Sequence, residues 1–124
     1  GLYRIHDSTI SYGDVVAFPI PDKFIRLVKE RRWIPEYFTL LKPVAAIAGD
    51  AVCFRGGSVF VSGVSYGDVR KHDSQGKPMP SLDGCHRVEY GDIWVLIKDK
   101  PLSLDSRYFG PISRHKIYGK ATLL

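Results

Sequence analysis

Residues 44–54 read VAAIAGDAVCF, and this stretch decides the fold class of the chain. Two short apolar runs lie on either side of Gly49-Asp50, a dipeptide typical of turns. Short apolar runs that are bounded by turn residues are typical of buried β-strands. We therefore interpret the stretch as two strands joined by a turn.

The same pattern continues on both sides of this stretch. Residues 58–62, SVFVS, alternate between apolar and polar side chains with period two, as a half-buried strand does. Residues 55–57, RGG, separate this run from the previous one and indicate a hairpin. Further strands are predicted at residues 14–18, 92–97 and 116–124.

One segment departs from the β pattern. Residues 21–32 place Phe24, Ile25, Leu27 and Val28 at helical spacing, which predicts a short helix. Residues 67–84 are polar and rich in Gly, Pro, Ser and Asp, so a long surface loop is predicted there. The predicted fold class is all-β, mainly antiparallel, with one short helix.

The bulk composition fits a single domain spanning residues 1–124. The chain is 44% apolar and carries a formal net charge of +5. No apolar run reaches the roughly 18 residues that a membrane-spanning helix needs. The densest basic cluster, residues 29–33, contains an acid and an aromatic side chain and has no nucleic-acid-binding motif around it. We therefore expect a solvated basic surface and no nucleic acid partner.

The cysteine count is low. Cys53 and Cys85 are too few for a disulfide framework, and no cysteine or histidine pair has zinc-ligand spacing. No metal or other cofactor is expected. The two cysteines would pair with each other in an oxidising compartment. Two buried free thiols are the alternative, and the sequence leaves both open.

Lys42 is the first candidate catalytic residue. It lies in the apolar run LLKPVA, residues 40–45, where burial of an ammonium group is costly. Burial favours the neutral amine and lowers the pKa of a lysine. A neutral lysine can act as the general base on a serine hydroxyl. The alternative is a lysine at a strand edge with its ammonium group in water.

The second candidate is SLDSRYFG, residues 103–110. Asp105 and Arg107 are two residues apart, so on an extended chain both lie on the same side and can pair. Ser103 would also lie on that side and could donate a hydrogen bond to a nearby amine. A polar turn before an aromatic strand is the alternative.

Three segments together resemble a known family. GDVVAF at 13–18, LKPVAAIAGDAV at 41–52 and SLDSRYFG at 103–110 are similar, in order and rough spacing, to the conserved boxes of type I signal peptidases. The start, GLYR at 1–4, and KPVAA at 42–46 resemble the TraF-type subgroup of conjugative transfer. The resemblance implies a β-rich periplasmic domain that is anchored in the inner membrane.

The resemblance also implies an activity and its residues. Members of this family cleave after small residues with a Ser/Lys dyad, and TraF-type members mature the pilin of a conjugation apparatus. Lys42 would be the general base, Ser103 would orient its amine, and Asp105 and Arg107 would brace the site. The expected partners are a precursor protein or propilin and the surface of the inner membrane.

The nucleophilic serine is expected upstream of Gly1. In the family it belongs to a Ser-x-Pro motif a few residues before the GLYR stretch. Ser8 and Ser11 are the nearest serines, and neither precedes a proline at that spacing. We therefore expect the nucleophile and a membrane anchor on a preceding segment, and no peptidase activity from residues 1–124 alone.

His86 is a further possible catalytic residue, because TraF-type proteins are thought to use a histidine in this half of the chain. A structural or surface histidine is the alternative. The predicted helix offers a membrane-facing alternative: Phe24, Ile25, Leu27 and Val28, beside Lys29, Arg31, Arg32 and Trp33, would form an amphipathic face on the lipid surface. The other alternative is that the apolar side packs on the sheet.

Three other functions stay open at this point. One is a general type I preprotein signal peptidase. Another is a non-catalytic module that has kept a signal-peptidase-like fold. Self-cleaving repressors share the Ser/Lys β-fold, but they carry a DNA-binding domain and lack the box at residues 103–110.

Overall fold

The structure, a computed structural model, describes residues 2–6 and 9–124. The helices of these residues are α1 (Asp22–Arg31) and α2 (Ser106–Phe109), followed by a 3-10 turn at Arg114–Lys116. The strands are β1 (Tyr3–His6), β2 (Val15–Pro19), β3 (Thr39–Ala46), β4 (Ala51–Arg55), β5 (Ser58–Val61), β6 (Val64–Asp68), β7 (Gly84–Arg87), β8 (Asp92–Val95), β9 (Ile112–Ser113) and β10 (Gly119–Leu123).

A six-stranded antiparallel sheet contains Lys42. Its strand order is β1-β10-β2-β3-β8-β9. In β3, Lys42 lies opposite Val16 of β2, and Val44 lies opposite Val95 of β8. Because β8 pairs directly with β3, the segment that follows β8 comes close to Lys42 although it is distant in sequence.

A second antiparallel sheet has the order β6-β5-β4-β7. Cys53 of β4 lies directly opposite Cys85 of β7 in the strand register. The two form a disulfide with a Cα–Cα distance of 4.0 Å. Pairing of the two cysteines is therefore confirmed, and the alternative of two free thiols is wrong.

Helix α1 packs its apolar side on the protein core. Phe24 and Val28 are buried in the same cluster as Phe18 and Phe109, and Ile25 and Leu27 pack against that cluster. The predicted helix is confirmed. The expectation that its apolar face lies on lipid is wrong for Phe24 and Val28. Both side chains are buried in the protein core, which already removes their apolar surface from water.

Every strand predicted from apolar patterning is present, with ends displaced by a few residues. Residues 67–84 are largely irregular, but the segment starts inside β6 and ends at β7. The extended reading of residues 103–110 is wrong, because the chain turns into α2 at Ser106. Helix α2 has four residues and so is too short to show a helical period.

Candidate active site

Lys42 and Ser103 meet at the surface of the six-stranded sheet. The Lys42 Nζ donates a hydrogen bond to the Ser103 Oγ at 3.0 Å. Lys42 is held by the β3 register, and Ser103 is held by a hydrogen bond from its backbone N–H to the carbonyl oxygen of Lys100. The predicted proximity of these two residues, which are 61 positions apart, is therefore present in the structure, but Ser103 accepts the hydrogen bond that it was expected to donate.

The surroundings of Lys42 favour its neutral form. Its side chain is half-buried, and burial lowers the pKa of its ammonium group below the usual value of 10.5. The positive charge of Arg107 lowers this pKa further, whereas the negative charge of Asp105 raises it. The net direction is downward, so more of the amine is unprotonated near neutral pH than in an exposed lysine.

Asp105 and Arg107 form a fully buried ion pair. The Arg107 Nε donates to the Asp105 Oδ1 at 2.9 Å, and both side chains are 0% exposed. Asp105 also caps α2, because its Oδ1 accepts the Arg107 backbone N–H at 3.0 Å. Its Oδ2 accepts the backbone N–H of Ile97 at 3.0 Å. The predicted pairing is present, but a helix cap produces it rather than an extended chain.

The Arg107 guanidinium connects the two sheets. It donates to the carbonyl oxygens of Asp68 at 2.8 Å and Ile97 at 2.6 Å, and more weakly to that of Tyr66 at 3.5 Å. Tyr66 and Asp68 belong to β6 of the second sheet, whereas Ile97 follows β8 of the first. The guanidinium therefore fixes the start of the segment that carries Ser103.

Two neighbours of Arg107 complete this support. The Ser106 Oγ accepts the backbone N–H of Val95 at 2.9 Å, which joins α2 to β8. The Tyr108 hydroxyl donates to the carbonyl oxygen of Pro101 and accepts the backbone N–H of Arg70. Burial raises the pKa of Tyr108, so its hydroxyl keeps its proton. Both side chains were within the predicted segment, but their hydrogen bonds were not predicted.

Lys42 and Ser103 line a cleft of about 410 Å³. Leu40 and four residues of the segment after β8, Pro101, Leu102, Leu104 and Tyr108, also line it. The remaining lining comes from the end of α1 and from the irregular segment after β6: Trp33, Ile34, Arg70, His72, Asp73, Ser74 and Met79. The sequence indicated only that this segment was a long loop, and loops of that length are often functional.

His86 lies in β7 of the second sheet. Its Nε2 donates to the carbonyl oxygen of Asp83 at 2.8 Å, and its ring packs near those of Phe54 and Trp94. These contacts are the kind that a structural histidine makes. It does not line the cleft of Lys42 and Ser103, and a catalytic role for it stays a prediction.

The two serines nearest the start of the chain differ in what the structure shows. Ser8 lies outside the described residues. The backbone N–H of Ser11 donates to the Asp14 Oδ2 at 2.7 Å, in the turn before β2. Within residues 2–6 and 9–124, the hydroxyl that hydrogen-bonds Lys42 belongs to Ser103.

Over the described part of the chain, no three His, Cys, Asp or Glu side chains are grouped as metal ligands would be. No helix there is both long enough and apolar enough to cross a membrane.

Known proteins resemble the chain over nearly its whole length. The family model described as signal peptidase, peptidase S26, matches residues 2–124. The plasmid transfer protein TraF of Escherichia coli is 28% identical over 127 residues, which cover 94% of this chain and 72% of the relative. A crystal structure of a signal peptidase I from Enterococcus faecalis has a TM-score of 0.54 and 21% identity, and the match covers 94% of this chain and 100% of that one. At that identity the likeness shows the fold alone.

Proposed function

The chain belongs to the signal peptidase family, peptidase S26, and on this premise we propose that it is the catalytic domain of a Ser/Lys endopeptidase. The observation that carries the proposal is the 3.0 Å hydrogen bond between Lys42 and Ser103 in an open cleft. The lowered pKa of Lys42 supports it, because a general base must be unprotonated at the working pH.

In the proposed mechanism, the neutral Lys42 amine takes the proton of a serine hydroxyl as that oxygen attacks the scissile carbonyl. The resulting ammonium then gives its proton to the leaving amine. Ser103 accepts one N–H of Lys42, which directs the lone pair of the amine toward the nucleophile. Asp105 and Arg107 contribute indirectly, because their buried pair fixes the segment that holds Ser103.

We propose that the nucleophile is a serine in a segment that precedes Gly1 in the full-length protein. The support is the resemblance of GLYR, residues 1–4, to the stretch that follows the Ser-x-Pro motif in TraF-type members. A serine-directed covalent inhibitor tests this point in the full-length protein. Peptide mapping should find the inhibitor on the upstream serine, and modification of Ser103 would contradict the assignment.

The proposed substrate is the propilin of a conjugative transfer system. The support is the similarity to a relative whose name describes a plasmid transfer protein. The corresponding location is the periplasmic side of the inner membrane, with the full-length protein anchored in it.

A processing assay compares two purified precursors: the propilin of the same conjugation system and a secreted preprotein. The full-length enzyme should cleave the propilin, and the Lys42→Ala enzyme should not. Equal cleavage of both precursors would favour a general preprotein signal peptidase. Cleavage of neither would favour a non-catalytic module.

A further inference from the structure

A compact turn at residues 71–79 contributes to the lining of the cleft that contains Lys42. The backbone N–H of Asp73 donates to the carbonyl oxygen of Lys77 at 2.8 Å. The backbone N–H of Met79 donates to the carbonyl oxygen of Lys71 at 2.9 Å. His72 and Pro78 form an isolated antiparallel bridge. The turn is therefore ordered by its own backbone, within a segment that otherwise lacks regular structure.

Asp73 organises this turn with one oxygen and reaches the body of the protein with the other. Its Oδ1 accepts the backbone N–H groups of Gln75 and Lys77, both at 2.9 Å. Its Oδ2 accepts a hydrogen bond from the Arg31 Nη1 at 3.0 Å. A single carboxylate thus connects the conformation of the turn to the last turn of α1.

The Arg31–Asp73 pair is shielded from water. The two side chains are 13% and 5% exposed. The Arg31 guanidinium also lies over the ring of Trp33 at 5.5 Å, and its Nη1 is 4.0 Å from the Met79 Sδ. By contrast, Arg26 and Glu30 on the same helix form an ion pair whose side chains are 89% and 61% exposed. A shielded pair with several partners orders its neighbours more strongly than an exposed pair does.

The pair fixes one wall of the cleft. Trp33 and Ile34 from the end of α1, and Met79 from the turn, line the cleft together with Leu40 and Leu102. These five side chains are apolar, whereas Arg70, His72, Asp73 and Ser74 add polar groups to the same lining. The position of Met79 relative to Trp33 and Ile34 depends on how closely the turn lies against α1.

We propose that Arg31 and Asp73 are positioning residues that hold the turn at residues 71–79 as the wall of an apolar substrate subsite. The subsite takes an apolar side chain of the precursor near the scissile bond. This inference rests on the proposed peptidase function, because it concerns the same cleft.

The first test needs no catalysis. Amide hydrogen exchange is measured for Asp73, Gly76 and Met79, whose backbone N–H groups are hydrogen-bonded in the turn. Arg31→Gln and Asp73→Asn should speed exchange at these amides, since either change removes the pair. Arg31→Lys, which keeps the charge, should lie between these variants and the wild type. Arg26→Gln removes the exposed pair on the same helix and should leave the exchange unchanged.

The second test measures selectivity in the full-length enzyme. The probes are fluorogenic peptides with Ala-x-Ala before the scissile bond. In each pair of peptides one neighbouring position carries either Leu or Asn, and successive pairs move this position along the peptide. The wild type should prefer Leu at one position through a lower KM. Arg31→Gln should reduce that preference about fivefold, with kcat little changed. This is expected when the turn at residues 71–79 is no longer held in place before the substrate binds.

The outcomes separate this inference from the proposed function. An unchanged Leu preference in Arg31→Gln, or no Leu preference in the wild type, would overturn the subsite. If the wild type cleaves no peptide, fluorescence anisotropy measures binding of the same Leu peptide. Weaker binding by Arg31→Gln would then support the subsite while the peptidase function fails, and equal binding would overturn both.

Discussion

Replacing Asp105 with Asn tests how the buried ion pair supports the site. The Asp105 carboxylate accepts three hydrogen bonds, two from Arg107 and one from the backbone of Ile97, and it is 0% exposed. An amide has only one acceptor oxygen, so its NH₂ group must face one of these donors. The Arg107 charge would then be buried without a counter-charge. Breaking a buried pair in this way typically costs about 3–5 kcal/mol.

Urea unfolding of the isolated chain measures this cost. With slopes usual for small proteins, a loss of this size lowers the urea midpoint by about 2 M. Glu30→Gln is the matched control, because it removes the exposed Arg26–Glu30 pair, which should be worth less than about 1 kcal/mol. If Asp105→Asn shifted the midpoint no more than this control does, the buried pair would not support the site as argued.

Three other predictions concern separate features. Replacing Cys53 and Cys85 with alanine should destabilise the chain by about 3–4 kcal/mol, the value that the chain-entropy model gives for a separation of 32 residues. A thermal unfolding midpoint that is unchanged by the double replacement would contradict this prediction. Ser103→Ala should lower kcat of the full-length enzyme by about tenfold or more without abolishing activity, because Lys42 loses its orienting partner; wild-type kcat would argue against that role. Because Trp33 lines the cleft, Trp33→Ala should leave liposome co-sedimentation of the full-length protein unchanged, and a large loss of binding would instead place Trp33 on the lipid.

Apolar patterning was sufficient for the strands that form the centre of both sheets. β4 begins with an apolar run, β3 has apolar residues on both sides of Lys42, and β5 alternates with period two. By contrast, β7 reads GCHR and is mostly exposed, so it has no apolar period that separates it from the preceding loop. β1 lies at a sheet edge with three of its four residues exposed, and it also lacked such a signal.

The site was predictable where its residues occur in distinctive short boxes. Lys42 stands in an apolar strand, and Ser103, Asp105 and Arg107 lie close together. The resemblance of these boxes to type I signal peptidases is what implied a Ser/Lys dyad. The distance between Lys42 and Ser103 follows only from the pairing of β3 with β8.

The other wall of the cleft was not predictable from the sequence. Arg31 and Asp73 are 42 residues apart, and Asp73 lies in a segment with no apolar period. Arg31 in a helical pattern is equally typical of a solvated surface residue. Only the tertiary structure brings the turn at residues 71–79 against α1.

The pH dependence of processing tests the central role of Lys42 most directly. Only the unprotonated Lys42 amine can accept the proton of the nucleophile. The unprotonated fraction of this amine rises as the pH increases through the pKa of Lys42. For the full-length wild type, kcat/KM should therefore rise with pH along one ionisation and level off. Because burial lowers this pKa, the rise should be centred below the usual lysine value of 10.5.

The same measurement on full-length Lys42→Arg supplies the decisive comparison. A guanidinium has a pKa above about 12 and keeps its proton, so the positive charge remains while the base is lost. The account predicts a fall in kcat/KM of about 10²–10⁴-fold and loss of the rise with pH. Processing at the wild-type rate by Lys42→Arg, with the rise retained, would contradict the assignment of Lys42 as the general base.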